Sequence, residues 1–429
     1  MLTKKAFENL PIFIISMSRW DGDVSSASLA LAKVLSRTNP VYYIDYPYSW
    51  ADVWRGRKNP TVKRRMRALL QGKDYLVPVT RQPVNLQGAT PRPGLPIFSL
   101  PPGKLYNLGS HYNNHRIAGL IKKIIKEKNI GEYIFINSFN PSYLSGLQKY
   151  LQPSLSIYHS RDAIEEIKAS WLSKENECVH QYDMAMATSK QLCRNISARN
   201  SKPVNYFPNG GDIQLFRTAF EKELPRPAEL AGITTPVIGY TGAVCQRVDY
   251  ELLVKIANAN PDKKIVLVGP RQDKQYTSID LDALPNIIFT GAKKIDQLPA
   301  YLRCFDCAII PFVKNNFTGG IYPLKINEYL GAGRAVVTTH FSEDIATFKE
   351  QVFMAENYDE FLAMINKAVS DNGAEKQRQR VAIAETNSWE HRVELFWQLA
   401  WDAYQSKNKS NEICHSVTVS TPATALKVK

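Results

Sequence analysis

The stretch Asn316-Phe-Thr-Gly-Gly-Ile-Tyr-Pro-Leu-Lys-Ile-Asn-Glu-Tyr-Leu-Gly-Ala-Gly-Arg-Ala-Val-Val337 reads as a loop, a short helix and a strand. Gly319 and Gly320 let the backbone approach a ligand closely. Pro323 suits the first turn of a helix, where its missing N–H costs nothing. Lys325 and Glu328 are three residues apart and share one helical face, near the end where unpaired N–H groups and the macrodipole favour an anion. That face offers one cation and one carboxylate, which suits a diphosphate joined to a diol. Gly331 and Gly333 end the helix, and Ala335 to Thr338 opens a buried strand.

On either side of this stretch the chain alternates apolar runs with helical periodicity. Ile12 to Ser16 predicts a first strand, Arg19-Trp-Asp-Gly-Asp23 a loop, Ser25 to Leu35 a helix and Val41 to Asp45 a second strand. This βαβ opening implies a parallel sheet whose first loop points into a ligand crevice. Strands are expected at Tyr133 to Ile136, Leu155 to His159, Met184 to Ala187 and Val204 to Phe207. Between them, helices are expected from near Leu108, over Pro141 to Tyr150 and over Ile164 to Tyr182, with another capped by Ser189. Pro208-Asn-Gly-Gly-Asp212 is dense in turn residues and marks a crossing into a second domain. The alternation then restarts at Val237 to Tyr240, followed by the turn Thr241-Gly242-Ala243 and strands at Ile265 to Val268, Ile287 to Phe289 and Ala308 to Ile310. The expected architecture is therefore α/β, with two Rossmann-like domains over 1–207 and 208–387. A closing helix over 388–404 and a disordered tail over 405–429 complete it.

A chain of 429 residues exceeds one compact core and fits two domains. Lys and Arg number 54 against 40 acids, and the net charge of +14 favours an acidic surface or polyanionic ligand. Six cysteines, at 178, 193, 245, 304, 307 and 414, are too scattered for a disulfide framework, and Cys304 with Cys307 is read as packing rather than a metal site. No apolar run approaches the ~18 to 20 residues of a membrane span. Residues 55–73 carry eight Lys and Arg and no acid. With Met66, Leu69 and Leu70 on a possible apolar face, they predict a basic surface helix for anionic lipid headgroups, unless they are simply a solvated charge run. A dinucleotide fingerprint and a Gly-Lys-Ser/Thr phosphate loop are both missing from the sequence, which disfavours NAD or ATP chemistry.

Several segments together resemble a known family: Ile238-Gly-Tyr-Thr-Gly-Ala-Val244, Val266-Leu-Val-Gly-Pro270, Pro285-Asn-Ile-Ile-Phe-Thr-Gly291, Asp306-Cys-Ala-Ile-Ile-Pro-Phe312 and Pro323-Leu-Lys-Ile-Asn-Glu-Tyr-Leu-Gly-Ala-Gly333. In this order they are similar to the GT-B glycosyltransferases of the group-4, group-1-type family. The branch they most resemble is that of teichuronic acid and capsule biosynthesis.

The resemblance implies a retaining transfer of sugar from a nucleotide-diphosphate donor to a glycan or lipid-linked acceptor, in the building of a cell-envelope or exported polysaccharide. The protein would act at the cytoplasmic face of the plasma membrane, with 55–73 on the anionic surface. By matching position, Glu328 would hold the donor ribose, and Lys325 and Arg247 the diphosphate beside Gly242. Lys293 to Leu298 would pack the nucleobase. Paired cations would stabilise the departing diphosphate, so no metal or other cofactor is strictly required. The family's first glutamate falls at Gly320, leaving the N–H groups of Gly320, Ile321 and Tyr322 to serve sugar or phosphate.

The acceptor side is expected from Trp20, Asp21, His159 and Asp162, with Asp162 the preferred carboxylate. Asp21-Gly-Asp23 spells the D-x-D of metal-dependent GT-A enzymes but arises easily by chance, and no metal ligands are assigned. Two other classes share these features. One is a sugar-nucleotide epimerase or hydrolase of the same shape; the other is a non-catalytic polyanion-binding protein, although nucleic acid is disfavoured because no aromatic platform accompanies the charge.

Overall fold

The computed structural model describes residues 2–21, 26–79 and 85–419, with side chains to 409. Asp23 lies outside the described residues.

The first sheet is built from β1 (Ile12–Ser16), β2 (Val41–Ile44), β3 (Leu76–Pro78), β4 (Leu86–Ala89), β5 (Ile134–Ser138), β6 (Leu155–Ser160), β7 (Met184–Ala187) and β8 (Asn205–Tyr206), in the order β3-β4-β2-β1-β5-β6-β7-β8. All pairings are parallel except β3 with β4. The central strands β1, β5 and β6 are buried along their whole length, as expected where helices cover both faces of a parallel sheet. The second sheet holds β9 (Val237–Thr241), β10 (Lys264–Val268), β11 (Ile287–Gly291), β12 (Cys307–Ile310), β13 (Val336–Thr339) and β14 (Phe353–Ala355), in the order β11-β10-β9-β12-β13-β14, all parallel. In each sheet the strand order reverses beside the first strand, between β1 and β5 and between β9 and β12. The crevice beyond the carboxyl ends at such a point is where ligands of open α/β sheets bind.

The two crossings between the sheets run side by side. Gly211 bridges Ser388, with Gly211 N–H donating to the Asn387 carbonyl (2.9 Å) and Trp389 N–H to that of Gly211 (3.2 Å). A Cβ on Gly210 would stand 2.8 Å from the Trp389 backbone, so a glycine is needed here for close approach. A second seam joins the domains directly. Asp344, fully buried, accepts from the Tyr206 hydroxyl (2.7 Å) and the Lys190 N–H (3.1 Å), and Arg194 pairs with Glu343.

Several boundaries depart from the sequence reading. The helix expected from near Leu108 begins at Lys104 and runs to Glu127. Pro141 to Tyr150 divides into a helical turn, Pro141–Leu144, and a 3-10 turn, Leu147–Tyr150, around Gly146 in the left-handed region (φ 87°). Ile164 to Tyr182 breaks at a 3-10 turn, Ala169–Trp171, which buries Trp171. The chain does not become disordered at 405, because one helix spans Trp389–Val419 with neither Gly nor Pro to stop it. Its inner face packs Trp389, Phe396, Ala400 and Tyr404 on the first domain's core, where Phe7 meets the Trp401 and Tyr404 rings. Lys407 then ties it to Asp183 (2.9 Å) and to the Pro153 and Ser154 carbonyls.

The basic block 55–73 is not one helix. It lies across the end of Trp50–Arg55 and two further short helices, Pro60–Lys63 and Met66–Gln71, separated by Gly56-Arg57-Lys58-Asn59 and by Arg64-Arg65. Most of its cations are exposed, but Arg65 is 2% exposed and turns into the domain.

Candidate functional site

At the carboxyl edge of the second sheet, β9 ends in Thr241 and the chain turns at Gly242 with φ 129°, a conformation that L side chains rarely adopt. The helix Leu324–Gly331 stands against this turn. Its Tyr329 hydroxyl accepts the Thr241 N–H (2.8 Å), locking helix to strand. The Lys325 side chain then lies along Gly242, where a Cβ would come within 2.5 Å of Lys325 Cε and 2.7 Å of its Nζ. The ammonium sits 5.5 Å from the Tyr240 ring centre and 5.7 Å from that of Phe312.

Lys325 and Glu328 interact as the helical spacing requires. Burial lowers the Lys325 pKa, Glu328 opposing and Arg247 reinforcing the shift. Burial likewise raises the Glu328 pKa, with Lys325 opposing and Asp212 adding to the rise. Arg247 follows the Gly242 turn, with its guanidinium 5.3 Å from the Phe317 ring centre. The result is a crevice holding two cations beside one carboxylate, at the second sheet's switch point.

Across the crevice stands the end of β6. Burial raises the Asp162 pKa, and the charges of Arg247 and Arg161 oppose the rise, so Arg247 of one domain faces a carboxylate of the other. Arg161 donates to Asn209 Oδ1 (2.7 Å) in the domain crossing, and burial lowers its pKa to about 10. Sequence reading missed Arg161, Asn209 and Tyr329. Asn209 lay within the turn-rich crossing, but its partner is set only by the fold.

The structure separates the remaining candidates. His159 is wholly buried with its ring edge-on to Phe207 (5.4 Å), and burial, aided by Arg161, drives its pKa well down; it is a neutral core side chain, not a ligand on the crevice wall. Trp20 is 6% exposed and packs flat over Gly88, with Arg65 stacked on it at 4.2 Å. Asp21 is held by Arg65 through two short bonds (2.6 and 2.7 Å) and approached by Arg64 (3.2 Å), so its carboxylate is not free to polarise an acceptor hydroxyl.

In the donor half, the loop at Gly320 tightens into a helical turn, Asn316–Gly319. The N–H groups of Gly320 and Ile321 therefore go to the Phe317 (3.3 Å) and Thr318 (3.0 Å) carbonyls and are not available to a sugar. Tyr322 is buried, its hydroxyl accepting from Asn327 (3.2 Å). Lys293 pairs with Glu229, which also accepts from Tyr301 (3.0 Å), and Leu298 opens the next helix. Among the described residues no hydrogen bond or ion pair joins that corner to Gly242, Lys325 or Glu328. No group of three or more His, Cys, Asp or Glu among them is placed to hold a metal ion.

Residues 235–371, which contain the whole second sheet with Gly242, Arg247, Lys325 and Glu328, match the family model described as glycosyl transferases group 1. The putative teichuronic acid biosynthesis glycosyltransferase TuaH of Bacillus subtilis (strain 168) is 29% identical over 205 residues, covering 47% of this chain and 51% of that protein. The chain thus spans about half the length of the curated relative it matches. Among solved structures, the sucrose-phosphate synthase of Thermosynechococcus elongatus superposes with a TM-score of 0.62 at 14% identity, over 93% of this chain and 100% of that one. Anabaena HepE, in complex with UDP and glucose, gives 0.59 at 14% identity over 91% and 99%. At such identities the likeness is one of fold, and it spans both sheets. The chain has the GT-B fold, and the resemblance to the glycosyl transferases group 1 family lies in residues 235–371, which carry the donor half of the crevice.

Proposed function

We propose that the chain is a retaining glycosyltransferase that moves a sugar from a nucleotide-diphosphate sugar to a glycan or lipid-linked acceptor in cell-envelope or exopolysaccharide synthesis. The observation that carries this reading is the Gly242, Arg247, Lys325 and Glu328 constellation, set on the family domain and opposed by Asp162. Glu328 would accept from the ribose hydroxyls. Lys325 and Arg247 would take the charge that grows on the departing diphosphate, without need of a metal. Asp162, across from Arg247, would meet the acceptor hydroxyl. HepE in complex with UDP and glucose makes UDP the first nucleotide to test. The exposed cations of 55–73 support work at an anionic membrane surface, on the cytoplasmic side.

UDP or a UDP-sugar is expected to raise the melting temperature, because a ligand held by the folded state alone stabilises it. Glu328→Ala should remove most of that rise. A screen of nucleotide diphosphates in which none shifts the transition refutes the donor assignment. Sugar release without acceptor, at the rate seen with one, would favour a hydrolase instead.

UDP affinity is also expected to follow a bell in pH. Binding needs Glu328 ionised and Lys325 protonated. Since burial raises the first pKa and lowers the second, the acid limb should lie above the ordinary Glu range near ~4.3 and the alkaline limb below the ordinary Lys range near ~10.4. Titration calorimetry from about pH 5 to about pH 10 reads both limbs, and Glu328→Gln should erase the acid one. Constant affinity over that window contradicts the assignment.

A further inference from the structure

Among the described residues, all the exposed large apolar side chains but Tyr276 lie on the first domain. Trp50 (57% exposed) and Trp54 (67%) stand on the helix Trp50–Arg55, Leu105 (75%) and Leu108 (67%) on the start of the helix Lys104–Glu127, and Leu95 (42%) lies between. These elements are neighbours in space. Ser49 bridges Gly94, whose N–H donates to the Tyr48 carbonyl (2.8 Å). Leu95 exchanges two hydrogen bonds with the Asn113 side chain (2.8 and 2.9 Å), and a Cβ on Gly109 would press on Ile97. An apolar strip therefore runs from the tryptophans across Leu95 to the long helix, where Leu108 and Tyr112 border a groove with Arg116.

The surroundings of the strip are cationic. Arg55 on the tryptophan helix, Arg57 and Lys58 in the turn after it and Lys63 on the next short helix are all exposed. The acids nearby are engaged: Asp52 accepts from Ser49 (2.7 and 2.9 Å), and Asp74 pairs with Arg67 (2.5 Å). The Arg57 guanidinium lies over the Trp54 ring at 4.6 Å, leaving aromatic and cation together at the surface. Tryptophan and leucine flanked by long cations match the chemistry of an anionic bilayer interface, where rings sit at headgroup depth and ammonium or guanidinium groups reach phosphate.

The strip also lies on the working side of the domain. Trp50–Arg55 follows the carboxyl end of β2. The helix Lys104–Glu127 leads into the amino end of β5, which sets its start at the carboxyl edge shared by Asp162.

We propose that this apolar strip inserts into the headgroup region of an anionic membrane and seats the crevice rim against it. The proposal deepens the membrane reading drawn from 55–73 and rests on it. It adds that binding has a salt-resistant apolar component located outside the basic block, at Leu105 and Leu108, with Trp50 and Trp54 at its edge. An acceptor with a lipid anchor would then reach the crevice while its anchor stays in the bilayer.

The test is flotation of the full chain with vesicles of phosphatidylcholine alone or with about 30% phosphatidylglycerol, at about 0.1 M and about 0.5 M salt, where screening lengths are about 10 Å and under about 5 Å. Wild type should bind the anionic vesicles at both salts, more weakly at the higher. Leu105→Ser with Leu108→Ser should weaken binding at least about tenfold at the higher salt, and tryptophan emission should shift to the blue on binding, less so in Trp54→Ser. Arg57→Ser, Lys58→Ser and Arg67→Ser together should reduce binding mainly at the lower salt. Each variant should keep the wild-type UDP-induced melting shift, which establishes the fold independently of membranes.

Unchanged high-salt binding by the leucine variant overturns insertion while leaving the electrostatic reading in place. No binding by wild type at either salt overturns both. A switch from dimer to monomer in the leucine variant, with vesicle binding unaltered, overturns the proposal by assigning the strip to a second copy of the chain.

Discussion

Lys325→Ala is expected to lower kcat/KM for sugar transfer by about 10²- to 10³-fold, roughly 3 to 4 kcal/mol of transition-state stabilisation. The argument starts from the position of the ammonium. It lies along Gly242, whose φ of 129° disfavours any L side chain, in a crevice that also holds Arg247 and Glu328. Burial there lowers its pKa, so the protonated form is costly until an anion arrives. A diphosphate gains charge as the sugar departs, so the interaction strengthens toward the transition state, and kcat should fall more than KM rises. Lys325→Arg keeps the charge but must fit a longer, planar group against the Gly242 turn, and should recover only part of the rate. The melting temperature without ligand should change little, because removing a cation that burial and Arg247 both disfavour offsets the loss of its attraction to Glu328. Turnover within threefold of wild type, measured with a folded variant, would sink the assignment of Lys325 to the diphosphate.

The second domain was the more legible half. Its strands are short apolar runs bounded by Gly, Pro and Asn, and local spacing alone brings Lys325 and Glu328 to one face. What spacing cannot supply is the other wall of the crevice. Asp162 meets Arg247 only because β6 and β9 belong to sheets whose carboxyl edges face each other, and that geometry depends on the paired crossings at Gly211 and Ser388. Asp21 misled for a related reason. A loop after the first strand of a parallel sheet does open toward the crevice, but the sequence does not show that Arg65, forty-four positions later, claims the carboxylate. Composition also misjudged the Lys- and Ser-rich end of the last helix. A polar stretch lacking Gly and Pro can continue a helix whose earlier turns are anchored by packing, as Phe396, Ala400 and Tyr404 anchor this one.

Arg65 carries the other large effect, on stability rather than turnover. Its Nε donates to Asp45 (2.8 Å), its two terminal nitrogens hold Asp21, and one of them also reaches the Thr61 carbonyl (3.0 Å). Asp45 is fully buried, and its other cation, Arg19, is more distant at 3.8 Å. Removing one member of a buried ion pair leaves the partner's charge uncompensated, so Arg65→Ala should cost about 3 to 5 kcal/mol near pH 7, read as a lower urea midpoint. The sign of its pH dependence follows from Asp45. Burial already raises that pKa above the unfolded value, and loss of Arg65 raises it further. A raised carboxyl favours the folded state below the unfolded pKa and loses that contribution as pH rises through the folded one, so the defect should be worst at neutral pH and shrink toward acid. Arg65→Met with Asp45→Asn removes both charges and should recover much of the loss, whereas the UDP-induced melting shift should persist in each variant that folds. A cost below about 1 kcal/mol for Arg65→Ala would place the guanidinium in the solvated regime of surface pairs. The expected large cost explains why a test of the basic surface must leave Arg65 intact: its guanidinium ties the first loop, through Asp21, and the block itself, through the Thr61 carbonyl, to Asp45 at the end of β2.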